Sequence, residues 1–392
     1  MKKLFTLFIL LNYFLQFSFA SEVDINKILS EAHLKSKHLK APAVASLWGG
    51  QRRFKIFHNN NGEILSLKSS LLKSGNLNIY ISKKPSNKLI IFFPGIFGSI
   101  QKGITPHMIG QLEKTQTNLL VLSNFLSTEH ISAHPLYGDD PFKTETLILE
   151  QALDFSLLQL NNKKLEIHVI AESLGSIVAS AWVSEDQKKN KRIKSLTLLW
   201  PPFELKHAMK NFDKIVNEHR KANHNCHIIN KAWLLTKEML LKDFPDSLSK
   251  SDEICLGSIV LIDGFMGSMK KSWEAHSQTS GNKTSNPESF EDFFKNYRKE
   301  LWDLLVQNHE SIKLTTWLSK IKSDANFPIF LFTSKNDFLN NGLDLEVFKK
   351  SGLLSDNEIL VFPWGGHSGP VGMTEFTQIL MKFSPAYSTT RY

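Results

Sequence analysis

The chain has 392 residues, 42% of them hydrophobic, and a formal net charge of +9 at pH 7. That size and apolar content suit one large domain, or a domain carrying an insertion, and exclude a disordered or fibrous chain. The basic residues are scattered among the acidic ones rather than gathered into runs, which argues against a nucleic-acid surface and reads as solvated faces with weak attraction to anionic surfaces.

Met1-Lys2-Lys3 precedes an almost wholly apolar run to Phe19, and Ser18-Phe19-Ala20 puts small residues where a signal peptidase reads. Residues 1–20 therefore read as a secretory signal, and the mature chain as exported, periplasmic or extracellular. A retained anchor is the alternative; the run falls short of the ~20 apolar residues a spanning helix needs. No cysteine follows the cleavage point to carry a lipid, and no later segment is long and apolar enough to span a bilayer, so membrane contact is expected to be peripheral at most. Cys226 and Cys255 are too few for a metal site. In an oxidising compartment they either form a disulfide or remain two separate thiols.

Residues 21–45 are polar and helix-prone, a leader onto the domain. Short β-like runs at 52–57, 63–67 and 76–82, the first two separated by Asn59-Asn60-Asn61-Gly62, predict an antiparallel start. Strands and helices then alternate. Strands are predicted at 88–93, 119–123, 165–170 and 193–200, and helices at 104–115, 144–160 and following residue 175. Continuous apolar strands separated by helices predict a mostly parallel central sheet with helices on both faces. The alternation stops over 203–327, which reads mostly as helix rich in Phe, Trp and Lys: a helical cap inserted between a first core part, 21–202, and a second, 328–392. The second part offers strands at 329–333 and 358–362 and helices at 343–351 and 371–383.

Ala171-Glu172-Ser173-Leu174-Gly175 joins a buried strand to a helix rich in small residues. A serine on such a turn is pushed into a cleft at the positive end of a helix, and its neighbours two before and two after must be small. Two further residues fall at C-terminal strand ends, where open parallel sheets bind ligands: Asp337 after the strand at 329–333, and His367 after the strand at 358–362, behind Gly365-Gly366. A serine hydroxyl is a poor nucleophile until an imidazole takes its proton, and the imidazole needs a carboxylate to fix its tautomer. The loop Phe93-Pro94-Gly95-Ile96-Phe97-Gly98-Ser99 can turn backbone N–H groups toward the same cleft, and the N–H of Leu174 supplies a second oxyanion donor. Each residue alone has an ordinary reading: Ser173 a structural turn, Asp337 a helix cap, His367 one of fourteen histidines.

Over roughly residues 50–383 the chain resembles the α/β-hydrolase superfamily, with Ala171 where a first glycine is usual. The resemblance implies Ser173 as nucleophile, His367 as general base, Asp337 as acid, and Gly95, Ile96 and Leu174 as the oxyanion hole. Glu204, after Trp200-Pro201-Pro202, is the rival acid, because some members place it there. The activity implied is an exported esterase-like or lipase-like serine hydrolase cleaving carboxylic esters, on small-molecule or lipid-like substrates, with no cofactor and no metal. A peptidase, thioesterase or acyltransferase using the same trio, or a hydrolase-like protein that only binds, stays open.

Two segments imitate functional motifs. Ile262-Asp263-Gly264-Phe265-Met266-Gly267-Ser268 echoes the oxyanion loop without a serine elbow after it and reads as cap. His134-Pro135-Leu136-Tyr137-Gly138-Asp139 has an acyltransferase-like spacing without the supporting motifs. Asn282-Lys283-Thr284 is a glycosylation sequon, relevant only in a host that glycosylates. The aromatics Trp233, Trp273, Trp302, Trp317, Phe290, Phe293 and Phe294 either line an apolar acyl pocket or pack the cap.

Overall fold

A computed structural model describes residues 62–384, apart from 74, 102–103, 134–140, 163, 223–263, 281–285, 298, 300–301, 304–312, 324–326, 341, 363–365 and 369–375. The signal and leader, the expected strand at 52–57, Cys226, Cys255, Trp233, Gly365, the motif around His134 and the sequon at Asn282 lie outside the described residues.

Eight strands form one sheet: β1 (Glu63–Lys68), β2 (Asn76–Ser82), β3 (Lys88–Phe93), β4 (Asn118–Leu122), β5 (Glu166–Glu172), β6 (Ile193–Leu199), β7 (Ile329–Ser334) and β8 (Ile359–Phe362), in the order β1-β2-β4-β3-β5-β6-β7-β8. β1 pairs antiparallel with β2, and β2 antiparallel with β4. Every later pairing is parallel. Sequence pattern explains the division. β3 and β4 are nearly continuous apolar runs, buried along their length, as strands covered on both faces must be. β1 has mostly exposed positions, which suits a strand at the sheet's edge.

The helices are α1 (Thr105–Leu112), α2 (Thr128–Ser132), α3 (Pro141–Gln159), α4 (Gly175–Lys189), α5 (Leu205–Ala222), α6 (Gly267–Ser280), α7 (Phe290–Tyr297), α8 (Leu314–Lys322), α9 (Gly342–Lys350) and α10 (Phe376–Phe383). The helix expected at 104–115 ends at Leu112 and tightens into a 3-10 turn over Glu113–Thr115, stopped by Gln116 at φ 56°. The short α2 carries no periodic signal of its own. It exists because the Ser127 hydroxyl accepts the backbone N–H of His130 at 3.1 Å and caps it.

α4 is buried from Gly175 through Ser184, and it contacts β3, β5 and β6 as well as α3 and α8. Its run of Gly, Ser and Ala lets the helix approach that closely. In the inserted region α5 turns Leu205, Ala208, Met209, Phe212 and Val216 inward at helical spacing. Asp213 accepts the N–H groups of Phe290 at 2.7 Å and Glu291 at 3.1 Å, so a side chain of α5 caps the start of α7. Burial pushes the Asp213 carboxyl above its ordinary pKa, against the pull of those two donors. Phe212, Phe290, Phe293, Phe294, Trp273 and Tyr297 form one aromatic cluster. Ser272 of α6 donates to the Leu126 carbonyl at 2.9 Å, tying that cluster to the loop after β4.

Candidate functional site

Ser173 stands between β5 and α4 with φ 50°, a left-handed conformation rare for a residue with a side chain. The turn holds because its neighbours fix it. Ser173 N donates to the Leu199 carbonyl at 2.8 Å, and Ser176 N donates to the Ser173 carbonyl at 2.9 Å. A Cβ on Gly175 would lie 2.4 Å from the Pro94 carbonyl oxygen, so only glycine lets α4 start this close to β3. Ala171, in place of the usual glycine, is fully buried in β5 beside Phe93 and Leu198, where its methyl is accommodated.

The loops after β7 and β8 bring two further groups to this serine. His367 Nε2 lies 2.7 Å from Ser173 Oγ, and His367 Nδ1 lies 3.1 Å from both carboxylate oxygens of Asp337. With the carboxylate at Nδ1, the ring proton sits there, and Nε2 accepts from the serine hydroxyl. All three are buried: Ser173 is 4% exposed, His367 5% and Asp337 3%. Asp337 is held from the other side as well. Leu339 N donates to Oδ1 at 2.9 Å and Asn340 Nδ2 to Oδ2 at 3.2 Å, fixing the plane of the carboxylate.

The sheet order, the left-handed serine between a parallel strand and a buried helix, and the carboxylate and histidine beyond the ends of β7 and β8 define the architecture. The fold is that of the α/β-hydrolases. No protein-family model matches the chain, and no curated protein sequence matches it. Among solved structures the chain is similar to the Pyrococcus furiosus esterase Pf2001, at 14% identity and a TM-score of 0.47, covering 82% of this chain and 89% of that one. It is similar to naproxen esterase (carboxylesterase NP) from Bacillus subtilis, at 13% identity and a TM-score of 0.45, covering 86% and 98%. It is also similar to the thioesterase domain from the curacin biosynthetic pathway, at 14% identity and a TM-score of 0.44, covering 82% and 100%.

In this α/β-hydrolase fold the loop after β3 passes directly over the serine. A Cβ on Gly95 would lie 2.9 Å from Ser173 Cβ. Gly98 N donates to the Gly95 carbonyl at 2.9 Å, closing a turn with Ile96 and Phe97 at its centre. Phe97, the third residue of that turn, has φ 58°, the left-handed region that favours glycine. A bulky residue there carries about 1–3 kcal/mol of strain. Asn124 anchors both ends: its Nδ2 donates to the Pro94 carbonyl at 3.0 Å, and its backbone N to the Gly98 carbonyl at 2.8 Å. Ile96 and Leu174 both border the cleft at Ser173. Leu174 is the N-cap of α4, so its N–H stands at the positive end of the helix, directly after Ser173, where a developing negative charge is favoured.

The cleft is narrow, with a volume of about 30 Å³. Apart from Ser173 its walls are apolar, including Leu205, Met209 and Phe212 of α5, Phe290 of α7, and Phe338 and Leu339 beside the acid. Of the other cap aromatics, Phe293 and Phe294 are fully buried and pack the cluster, while Trp317 of α8 borders a separate groove with Trp182. Phe265, from the segment that imitates the oxyanion loop, also lines the cleft. Glu204 stands at the foot of α5, where its backbone bridges Lys313; the carboxylate at His367 is that of Asp337. Among the described residues no group of three or more His, Cys, Asp or Glu could hold a metal ion, and no helix is long and apolar enough to cross a membrane.

Sequence reasoning missed the residues that hold these groups in place. Asn340 donates to Asp337 and to the Pro201 carbonyl at 2.8 Å, and accepts Phe203 N at 3.0 Å, joining the acid to the start of the insertion. Asn336 accepts Gly366 N at 2.9 Å, joining the acid loop to the histidine loop. Gly366 and Ser368, on either side of His367, are both left-handed, at φ 58° and 65°. Asparagines in polar loops carry no periodic signal. Only the adjacency of Asn336 to Asp337, and the short step to Asn340, could have drawn attention to them.

Proposed function

We propose that the protein is a serine hydrolase that cleaves carboxylic esters through an acyl-enzyme on Ser173. The observation that carries this reading is the continuous chain from Ser173 Oγ to His367 Nε2, at 2.7 Å, and from His367 Nδ1 to Asp337, at 3.1 Å. As Ser173 Oγ attacks the carbonyl carbon, its proton passes to His367 Nε2, and Asp337 stabilises the imidazolium. The carbonyl oxygen becomes an oxyanion facing the N–H groups of Ile96 and Leu174; each such donor is worth about 2.7–4 kcal/mol in the transition state. His367 then protonates the leaving alcohol. Water, activated by the same imidazole, attacks the acyl-enzyme and frees the acid and Ser173.

The apolar walls support an ester with an apolar acyl group over a peptide, because they offer no polar side chain to grip an extended backbone. The reading includes export, supported by the sequence pattern of residues 1–20. A series of p-nitrophenyl esters of increasing acyl length tests the substrate class. kcat/KM should rise with the first added methylenes, by up to about 4-fold each, the equivalent of about 0.8 kcal/mol. A response independent of chain length, or turnover of peptides but of no ester, contradicts it.

A further inference from the structure

We infer that Phe97 is a positioning residue of the oxyanion loop, held in its strained conformation by the aromatic cluster of the insertion, so that the seating of the cap sets the reactivity of Ser173. The inference rests on the hydrolase reading above and adds the device that keeps its oxyanion donor in place.

Phe97 occupies the one position of the Gly95–Gly98 turn that favours glycine, and it does so at φ 58°. Nothing within the turn compensates for the side chain. The compensation comes from the insertion: the Phe97 ring meets those of Phe290 and Phe293 edge-on, each with centroids 5.9 Å apart. Without that edge-on packing, Phe97 would relax toward a negative φ. The change rotates the Ile96–Phe97 peptide and converts the turn type, displacing the Ile96 backbone over Ser173. Phe97 is not part of the cleft wall, so it reaches the reaction through the backbone rather than by touching substrate. Phe290 lines the cleft and packs on Phe212 at 4.5 Å, which gives a bound acyl chain a direct route to the same clamp. Phe293 touches Phe97 without lining the cleft, and it isolates the clamp from substrate binding.

The test compares Phe97→Ala, Phe293→Ala and the double variant with wild type on one p-nitrophenyl ester. Phe97→Ala removes the ring while its Cβ still disfavours the left-handed φ, whereas Phe97→Gly supplies that φ freely and should keep more of the wild-type kcat than Phe97→Ala. Both single alanine variants should lose about 10-fold or more in kcat, short of the roughly 10²–10³-fold loss from deleting a donor outright, with KM changed less than about 3-fold. A boronic acid that forms a tetrahedral adduct on Ser173 should lose affinity in parallel with kcat. The double variant should fall short of the product of the two single losses by about 3-fold or more, because both remove one clamp. Wild-type kcat in Phe97→Ala, a loss carried wholly by KM, or multiplicative losses in the double variant overturns the inference. If Phe293→Ala does not fold, Phe293→Leu keeps apolar volume and should still lower kcat; full activity in it counts equally against the clamp. A wild-type protein that hydrolyses no ester sinks the hydrolase reading itself, whereas an active wild type with an unaffected Phe97→Ala sinks this inference alone.

Discussion

Ser173 has a left-handed φ of 50°, and the groups around it are held by side chains outside the hydrogen-bonded trio. Asn340 is the clearest case. It is buried and uses both ends of its amide, so Asn340→Ala leaves Phe203 N and the Pro201 carbonyl without partners. We expect a loss of about 1–3 kcal/mol in urea unfolding, together with a lower kcat as Asp337 loses its second anchor. A second buried residue contributes to the acid dependence of stability. His168 in β5 hydrogen-bonds Ser195 Oγ through Nδ1 at 2.8 Å, while its Nε2 is buried without a partner among the described residues. Burial, aided by the positive charges of Lys88 and Lys194, pushes its pKa down from 6.5 to about 4. The unfolded chain therefore binds a proton at a pH where the folded one refuses it. The stability tied to neutral His168 is fully present above pH 6.5 and is lost as pH falls toward about 4. Urea unfolding at pH 7.5 and 4.5 should differ by about 2–3 kcal/mol from this group, and His168→Asn should remove that component. An unchanged acid dependence in the variant contradicts the assignment.

At the scale of elements, the strand-turn-helix around Ser173 depends on close approach. Gly175→Ala places a methyl against the carbonyls of Pro94 and Phe93, and should cost about 1–3 kcal/mol in urea unfolding along with activity. This unit was legible in the sequence because its requirements are local: an apolar run, small residues around a serine, and a helix of small residues. The strands from β3 to β8 were legible for a related reason, since burial on both faces leaves continuous apolar runs. Less was legible where partners are remote. Asp213 caps α7 from another helix, Asn124 pins the oxyanion loop from the end of β4, and Phe97 relies on α7 for its conformation. None of these pairings leaves a trace in local pattern, because each joins residues distant in the chain.

At the scale of the whole molecule, two layers meet over one serine. The sheet carries Ser173, Asp337 and His367 to one edge, and the insertion covers that edge with apolar side chains. On the proposed function, that division assigns the chemistry to the sheet and substrate choice to α5, α7 and the segment at Phe265. The proposed export belongs to this scale too: on that proposal, intact mass of the protein recovered from the producing cell should show an N-terminus at Ser21 rather than at Met1. Reaction with a fluorophosphonate tests the whole account most directly. Mature wild-type protein should gain one adduct, mapped to Ser173, and lose ester hydrolysis in step with it. Ser173→Ala should remain folded, gain no adduct and hydrolyse at least about 10⁴-fold more slowly. Full labelling of Ser173→Ala, or a folded wild type that takes no label, would contradict a nucleophile at Ser173.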